Sequence, residues 1–272
     1  NTAFNNNVGI FVGWTSNNVT IENNYAHNNN ESGLRITSVP SASMIRHNIL
    51  NNNGQNGLIL LGAYHQLISN NNASGNRYGF HLDQGITTKA INNTFLNCIA
   101  TNNWDSGFYL EDGSNSNNLT NCTAINNTVA GLKISNSNNT YLDNFAVYSP
   151  GYMIINGNNT QFNNLILGFN QVLGLLNYNT LTLTNVSMDA TNSLIRNDFV
   201  SINSTINPEL NQSANITIYT NKCAGAKLYS LAGFPASRNQ IMNNGAKCIA
   251  CNILSCTGTT MKFDIPGFSG YA

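Results

Sequence analysis

The chain has 272 residues, and its 11 basic and 11 acidic side chains cancel to a formal net charge of zero. Charged residues make up only 8% of the sequence, with no basic cluster to neutralise a phosphate backbone, which argues against nucleic acid as a partner. Hydrophobic residues make up 41%, but no run reaches the roughly 18 apolar residues of a membrane-spanning helix, so no membrane span is predicted.

The sequence begins within a coil at Asn1, which predicts that a leader has been removed or that more protein precedes it. From there a short motif recurs eight times: an apolar residue, any residue, a polar residue that is usually Asn, and any residue. The steps between its fourth positions are 24, 22, 28, 24, 23, 20 and 21 residues, and such a period predicts a solenoid. The fourth positions are Asn24, Asn48, Asn70, Cys98, Cys122, Phe145, Leu165 and Val186.

A second marker follows the first by nine residues and consists of a glycine before an apolar-x-apolar step. This alternation predicts a short strand with one face inward, and the glycine suits a bend that a β-carbon would obstruct. Stacked coils bury such faces when each strand pairs with its equivalent about 4.8 Å along the axis. The predicted fold is therefore all-β, a parallel β-helix of about eight coils of 20–28 residues. The glycines are Gly9, Gly33, Gly57, Gly79, Gly107 and Gly131.

Asparagine accounts for 55 of the residues. Asn tolerates the left-handed backbone conformation that corners between strands need, and equivalent amides in successive coils can hydrogen-bond as a ladder. At the fourth motif position, Cys98 and Cys122 are predicted neighbours in adjacent coils. Their α-carbon spacing permits a disulfide, but in-register strands hold β-carbons further apart than that bond prefers. We expect two stacked, buried thiols rather than a bridge.

Around Asn207 the repeat stops, which predicts two domains: a β-helix over 1–206 and a small β-sandwich-like module over 207–272 that caps the helix or mediates assembly. Alternating residues predict strands at 215–220 and 260–265 in this module. Four cysteines in so short a segment suit two disulfides of open connectivity, and a zinc site that includes Cys248 and Cys251 is the alternative. The disulfide candidates are Cys223, Cys248, Cys251 and Cys256.

Asn-x-Ser/Thr sequons are dense, which favours an extracellular or cell-surface glycoprotein. The sequon at Asn121 precedes a packed cysteine and is expected to be silent. The remaining candidates for glycosylation are Asn18, Asn30, Asn72, Asn92, Asn118, Asn126, Asn138, Asn158, Asn185, Asn203, Asn211 and Asn215.

The outward positions after the glycines offer the best candidate site. Stacking is expected to bring ionisable and aromatic side chains of adjacent coils into one solvent-accessible patch suited to contacting a glycan. Residue spacing reveals neither a metal-ligand pattern nor a Ser-His-Asp set, so no metal, cofactor or catalytic residue is predicted. The patch comprises Arg35, His81, Asp83, Tyr109, Glu111 and Lys133.

The pattern Asn-x-x-x-Gly-[Leu/Phe]-x-[Leu/Ile], as at 53–60, together with the apolar-x-Asn-Asn step, resembles the NosD-type right-handed β-helix repeats of carbohydrate-binding and surface proteins. The resemblance covers residues 1 to about 206 and implies right-handed coils. The ending from Phe263 to Ala272 resembles the terminal strand that follows such helices in long archaeal surface proteins. This repeat family includes lyases, epimerases, hydrolases, adhesins and structural proteins, so the resemblance implies a fold more than a function.

The interpretation favoured by the sequence is an extracellular structural glycoprotein, a subunit of a self-assembling cell-surface filament, adhesive appendage or S-layer-like envelope. Copies of the chain would join through the coil ends, where strand edges are unpaired, and through the C-terminal module. Catalysis is not expected because acidic residues are few. The alternative is a carbohydrate-binding or carbohydrate-active β-helix protein (lyase, epimerase or hydrolase). The segment 78–83 partly resembles the Tyr-Gly-Phe-Asp-Pro-His step of alginate epimerases, with Asp and His exchanged and the proline missing.

Overall fold

A computed structural model describes the whole chain except residues 15, 17, 41, 190, 222, 224 and 269. Its regular structure is almost entirely β, with 4% helix, and forms a parallel β-solenoid of about seven turns with a pair of disulfides near the C-terminus. The predicted all-β, parallel β-helix fold is confirmed. Among the residues so described, no helix is long and apolar enough to cross a membrane.

The solenoid is built from short strands separated by tight corners. In chain order these strands are β1 (Thr2–Phe4), β2 (Val8–Gly13), β3 (Thr20–Glu22), β4 (Tyr25–His27), β5 (Ser32–Thr37), β6 (Met44–Arg46), β7 (Ile49–Asn51), β8 (Asn56–Leu61), β9 (Leu67–Ser69), β10 (Asn72–Ser74), β11 (Tyr78–Asp83), β12 (Thr94–Leu96), β13 (Ile99–Thr101), β14 (Ser106–Leu110), β15 (Asn118–Thr120), β16 (Thr123–Ile125), β17 (Ala130–Ser135), β18 (Tyr141–Tyr148), β19 (Met153–Asn156) and β20 (Thr160–Gly168).

Equivalent strands stack in parallel into three columns. The first column contains β3, β6, β9, β12, β15 and the start of β18, and the second contains β1, β4, β7, β10, β13, β16 and the end of β18. The third column contains β2, β5, β8, β11, β14, β17 and β19. Coil length varies mainly in the connection from the third column to the next coil, which has five residues at 62–66 but ten at 84–93.

Asparagine ladders run along the corners of the stack, as the composition predicts. The backbone N–H and Nδ2 of Asn53 both donate to Oδ1 of Asn76 in the next coil, at 2.9 and 3.0 Å. Nδ2 of Asn53 also donates to the carbonyl oxygen of Ala26 in the preceding coil, at 3.3 Å. The same pattern links Asn29, Asn53, Asn76, Asn103 and Asn127. A second corner carries Asn24, Asn48 and Asn71, and a third carries Ser43, Gln66, Asn93 and Asn117.

The predicted fourth position of the third motif is wrong by one residue, because Asn71, and not Asn70, continues the ladder of Asn24 and Asn48. Ile68, rather than Leu67, pairs with Ile45, so the repeat in this coil begins one residue later than its pattern suggests. Asn70 has a φ of 53° and fills the left-handed corner before the ladder residue. The equivalent corner in other coils is filled by Asn23, His47, Asn97, Asn121 and Asn144.

The glycine markers lie where the backbones of adjacent coils approach closely. A β-carbon on Gly57 would lie 2.6 Å from the carbonyl oxygen of Gly79 and 2.7 Å from the β-carbon of Ala73. Both contacts are in the next coil, so the glycines are explained by close approach of the backbone between coils.

The core between the columns is apolar and continuous. Phe80 stacks on Phe108 with ring centroids 5.0 Å apart, and Phe95 meets Phe80 edge-on at 5.8 Å. Cys98 and Cys122 precede paired strands in adjacent coils, and both are fully buried free thiols. Burial raises the pKa of the Cys122 thiol well above its ordinary value.

Parallel stacking ends at β20, and the chain then continues mainly in antiparallel strands. The eighth motif is therefore not a further coil: Leu183 lies on a strand antiparallel to β20, and Val186 pairs antiparallel with Ile155. The remaining elements are β21 (Leu175–Leu183), β22 (Val186–Met188), β23 (Ser193–Ile195), β24 (Val200–Ile202), a 3₁₀ turn (Pro208–Leu210), β25 (Ala214–Tyr219), β26 (Tyr229–Leu231), α1 (Arg238–Asn244), β27 (Ala246–Lys247), β28 (Asn252–Thr257), β29 (Thr260–Ile265) and β30 (Gly270–Tyr271).

The C-terminal strands extend the solenoid and share its core. β21, β25, β29 and β28 follow one another as antiparallel neighbours, and Ile216 and Phe263 belong to the same buried cluster as the coils. Disulfides join Cys223 to Cys256 and Cys248 to Cys251. The division into domains at residue 206 stays a prediction.

Candidate functional site

The candidate site lies on the outward face of the third column. Strand alternation turns one residue per coil outward, and strand pairing sets these residues in register one above the other. The row is formed by Phe11, Arg35, Ile59, His81, Tyr109 and Lys133.

His81 is held on three sides. Its Nδ1 lies 3.0 Å from Oδ1 of Asn56, and its Nε2 lies 3.0 Å from Oε2 of Glu111. Its ring stacks on the Tyr109 ring with centroids 4.9 Å apart and planes only 5° apart. The imidazole therefore has a fixed position between two coils.

The site is less open than the sequence predicts. Tyr109 is only 6% exposed and His81 only 8%. Nζ of Lys133 lies 4.5 Å from the Tyr109 ring centroid, and because His81 belongs to the coil on the other side, both ring faces are covered. The parts that reach solvent are the half-buried side chains of Asp83, Glu111 and Lys133. A stacking platform on Tyr109 is thus not available to a sugar.

Arg35 does not join the cluster. Ile59 separates its position from His81 in the row, and its Nη1 donates to Oε1 of Glu31 at 2.7 Å. The structure therefore brings together five of the six predicted patch residues and leaves Arg35 in a separate ion pair.

The two carboxylates of the cluster have pKa values shifted in opposite directions. The hydrogen bond with His81 lowers the pKa of Glu111 below its ordinary value. Burial raises the pKa of Asp83. Burial also raises the pKa of Tyr109, so its phenol stays protonated. The cluster thus combines a stabilised anion with a carboxyl group that accepts a proton more readily.

Sequence reasoning missed the residues that support the cluster. Asn56 contacts His81, and the ring of Tyr78 lies 5.0 Å from the His81 ring. The guanidinium carbon of Arg77 is 4.9 Å from the Tyr78 ring and 5.3 Å from the ring of Trp104. The available signal was sequence position, because Asn56 and Tyr78 directly precede the glycine markers Gly57 and Gly79.

A cleft of about 400 Å³ near the end of the solenoid was also missed. The guanidinium carbon of Arg196 lies 5.8 Å from the ring of Phe169, which is 52% exposed. Burial raises the pKa values of Tyr148 and Tyr152 in its walls. The cleft therefore offers one cation and several aromatic side chains. It is lined by Asn126, Tyr148, Ser149, Pro150, Tyr152, Gly168, Phe169, Ser193 and Arg196.

None of the twelve glycosylation candidates is buried. Four are half-buried, namely Asn118, Asn138, Asn203 and Asn215. The exposed ones are Asn18, Asn30, Asn72, Asn92, Asn126, Asn158, Asn185 and Asn211.

The stacked parallel coils with corner ladders define a β-helix repeat protein. Residues 1–147 match the family described as the right-handed β-helix region, and the chain belongs to this family. The right-handed parallel repeat implied by the sequence resemblance is therefore confirmed at the level of the family.

Two solved structures are similar to this chain over part of their own length. The periplasmic alginate epimerase AlgG is 20% identical with a TM-score of 0.46, over 54% of this chain and 38% of the epimerase. The tailspike protein gp49 from Acinetobacter baumannii bacteriophage Fri1, a capsular polysaccharide depolymerase, is 11% identical with a TM-score of 0.34, over 97% of this chain and 62% of the tailspike. The chain thus spans less than two thirds of either protein. No curated protein gives a significant match.

Proposed function

We propose that this protein is an extracellular glycoprotein that binds an acidic glycan along its β-helix. The observation that carries the proposal concerns two cations. Lys133 and Arg196 are half-buried, and neither has a carboxylate oxygen within 4 Å among the residues that the structure describes. A partly desolvated cation without a carboxylate at ion-pair distance favours an anion supplied by a ligand.

The surroundings of both cations suit a sugar. Lys133 lies over Tyr109 and interacts electrostatically with Glu111, whose carboxylate can accept hydrogen bonds from hydroxyl groups, and Arg196 stands beside the exposed ring of Phe169. The strands hold Lys133 rigidly against Tyr109, so little side-chain entropy is lost on binding. We propose binding rather than catalysis, because His81 already engages both ring nitrogens.

Lys133→Met and Arg196→Met are each expected to weaken binding to carboxylated polysaccharides about 10-fold, since a charge-assisted hydrogen bond contributes about 1.5–3 kcal/mol. Methionine retains an apolar stem that packs against Tyr109 or Phe169. Affinity electrophoresis through gels that contain acidic or neutral polysaccharides measures the effect.

The matched control is Arg46→Met. Arg46 is 42% exposed on the first column and pairs with Glu22 at 2.6 Å, so its loss is expected to leave retention unchanged. Equal retention of the wild type and both variants would contradict the proposed site, and no retention in any gel would contradict glycan binding.

A second candidate function, assembly at the cell surface, is favoured by the first coil. Phe4, Phe11 and Trp14 are 52, 50 and 64% exposed, and within the described residues β1 and β2 each pair on one side only. Exposed apolar side chains beside open strand edges favour contact with another chain. Through this end and the C-terminal strands, copies could join as a filament or layer.

We expect concentrated protein to form ordered filaments or sheets, and the double variant Phe11→Ser/Trp14→Ser to remain monomeric because it lacks the exposed rings. Negative-stain electron microscopy and sedimentation velocity measure this. Monomeric wild type at high concentration would rule out self-assembly through this surface.

A further inference from the structure

We propose that His81, Asp83 and Glu111 bind one divalent transition-metal ion. One ligand atom from each side chain lies within 4.8 Å of the other two. Tetrahedral coordination with bonds of about 2.0–2.1 Å places ligand atoms roughly 3.3 Å apart, so small side-chain rotations suffice to close the site. The spacing of residues in the sequence predicts no metal, whereas the stacking of coils creates this cluster. The proposal rests on the geometry of these three side chains and does not require glycan binding, although Glu111 takes part in both.

Two adjacent coils hold the three ligands. His81 and Asp83 are two residues apart on β11 and share its outward face, and Glu111 directly follows β14, which pairs with β11 in register. The backbone N–H of Glu111 donates to the carbonyl oxygen of Leu82 at 2.8 Å, which fixes the two coils at this level. The ligands therefore sit on rigid elements, as a preorganised site requires.

An independent observation concerns the proton on His81. Nδ2 of Asn56 donates to Oγ of Ser32 at 3.2 Å, which turns Oδ1 of the same amide toward Nδ1 of His81 at 3.0 Å. With Nδ1 donating to Asn56, the contact of Nε2 with the Glu111 carboxylate at 3.0 Å requires a second proton on the imidazole or a cation in its place. Two acceptors at this distance need a proton or a cation between them.

This arrangement is the one that metal-binding histidines use. Their second ring nitrogen donates to an oxygen that fixes the ring and its tautomer. Here Asn56 supplies that oxygen, and a metal ion would replace the second proton of the imidazole. One imidazole nitrogen with two carboxylate oxygens suits zinc, cobalt, iron or manganese, and coordination positions remain for water or a ligand.

Zinc titration of the metal-free chain by calorimetry tests the site, in thiol-free buffer so that the disulfides stay intact. We expect one equivalent to bind, and Asp83→Asn and Glu111→Gln each to weaken binding at least about 10-fold. Cobalt absorption gives a second readout, because visible bands of a histidine-carboxylate site should appear with the wild type and fade in both variants.

Asp112→Asn is the matched control. Asp112 is a half-buried carboxylate next to Glu111 with a φ of 46°, a conformation that Asn accepts, and it lies outside the ligand set. Its variant should bind zinc as the wild type does. The proposal is overturned if the wild type binds no zinc below millimolar concentration, or if both ligand variants bind as tightly as the wild type. Lys133→Met should keep zinc binding, so failure of the glycan proposal and failure of this one remain distinguishable.

Discussion

Replacing Asn76 with alanine should lower the free energy of unfolding by about 3–5 kcal/mol, because the substitution breaks four buried hydrogen bonds of a ladder. Asn76 is fully buried. Its Oδ1 accepts from the backbone N–H and Nδ2 of Asn53, and its Nδ2 donates to the carbonyl oxygen of Leu50 and to Oδ1 of Asn103. After the substitution, the Asn53 backbone N–H is buried without this acceptor.

Urea unfolding of the variant and the wild type measures the difference. Asn72→Ala is the matched control in the same coil, since Asn72 is exposed and its side chain lies outside the ladders. Its effect should stay within about 0.5 kcal/mol. A loss for Asn76→Ala no larger than that of the control would mean that the ladders contribute little to stability.

Gly57→Ala should lower the free energy of unfolding by about 3 kcal/mol, because the added methyl group has no free volume. Its β-carbon would lie 2.6 Å from the backbone oxygen of Gly79 and 2.7 Å from the β-carbon of Ala73. Backbone atoms cannot move away without separating two coils that are hydrogen-bonded along their whole length. Thermal and urea unfolding measure the loss.

Gly258→Ala separates steric clash from backbone strain. Gly258 has a φ of 61°, and no atom lies within 4 Å of a β-carbon built there. Left-handed strain alone should cost about 1–2 kcal/mol. If Gly57→Ala cost no more than Gly258→Ala, close approach between coils would not explain the glycine column.

The repeat could be predicted because its signals are local and periodic. Apolar alternation and the glycine spacing correctly placed His81, Tyr109 and Lys133 in one row. The slip at Asn70 arose because Leu67, an apolar residue that is 38% exposed, occupies an outward position next to the inward Ile68. Pattern alone cannot tell which of two adjacent apolar residues points inward.

Other features depend on neighbours that a single repeat does not specify. Alternation predicts that Tyr109 points outward, but rings and stems from the coils above and below cover both its faces. The reversal at Leu183 was hidden because a motif of similar length fits an antiparallel strand equally well. The disulfide partners of Cys223 and Cys248 depend on the fold of the C-terminal strands, so the cysteine spacing left them open.

The uneven connection between the third column and the next coil has an evolutionary consequence. In successive coils, the residue of the ladder that contains Asn48 lies five residues before the residue of the ladder that contains Asn53. The connection after β11, by contrast, is twice as long as the one after β8. Insertions at this corner leave every ladder hydrogen bond intact. The corner after β11 also adjoins Asp83. Selection can therefore vary the loop length there, while the repeating scaffold is inherited unchanged.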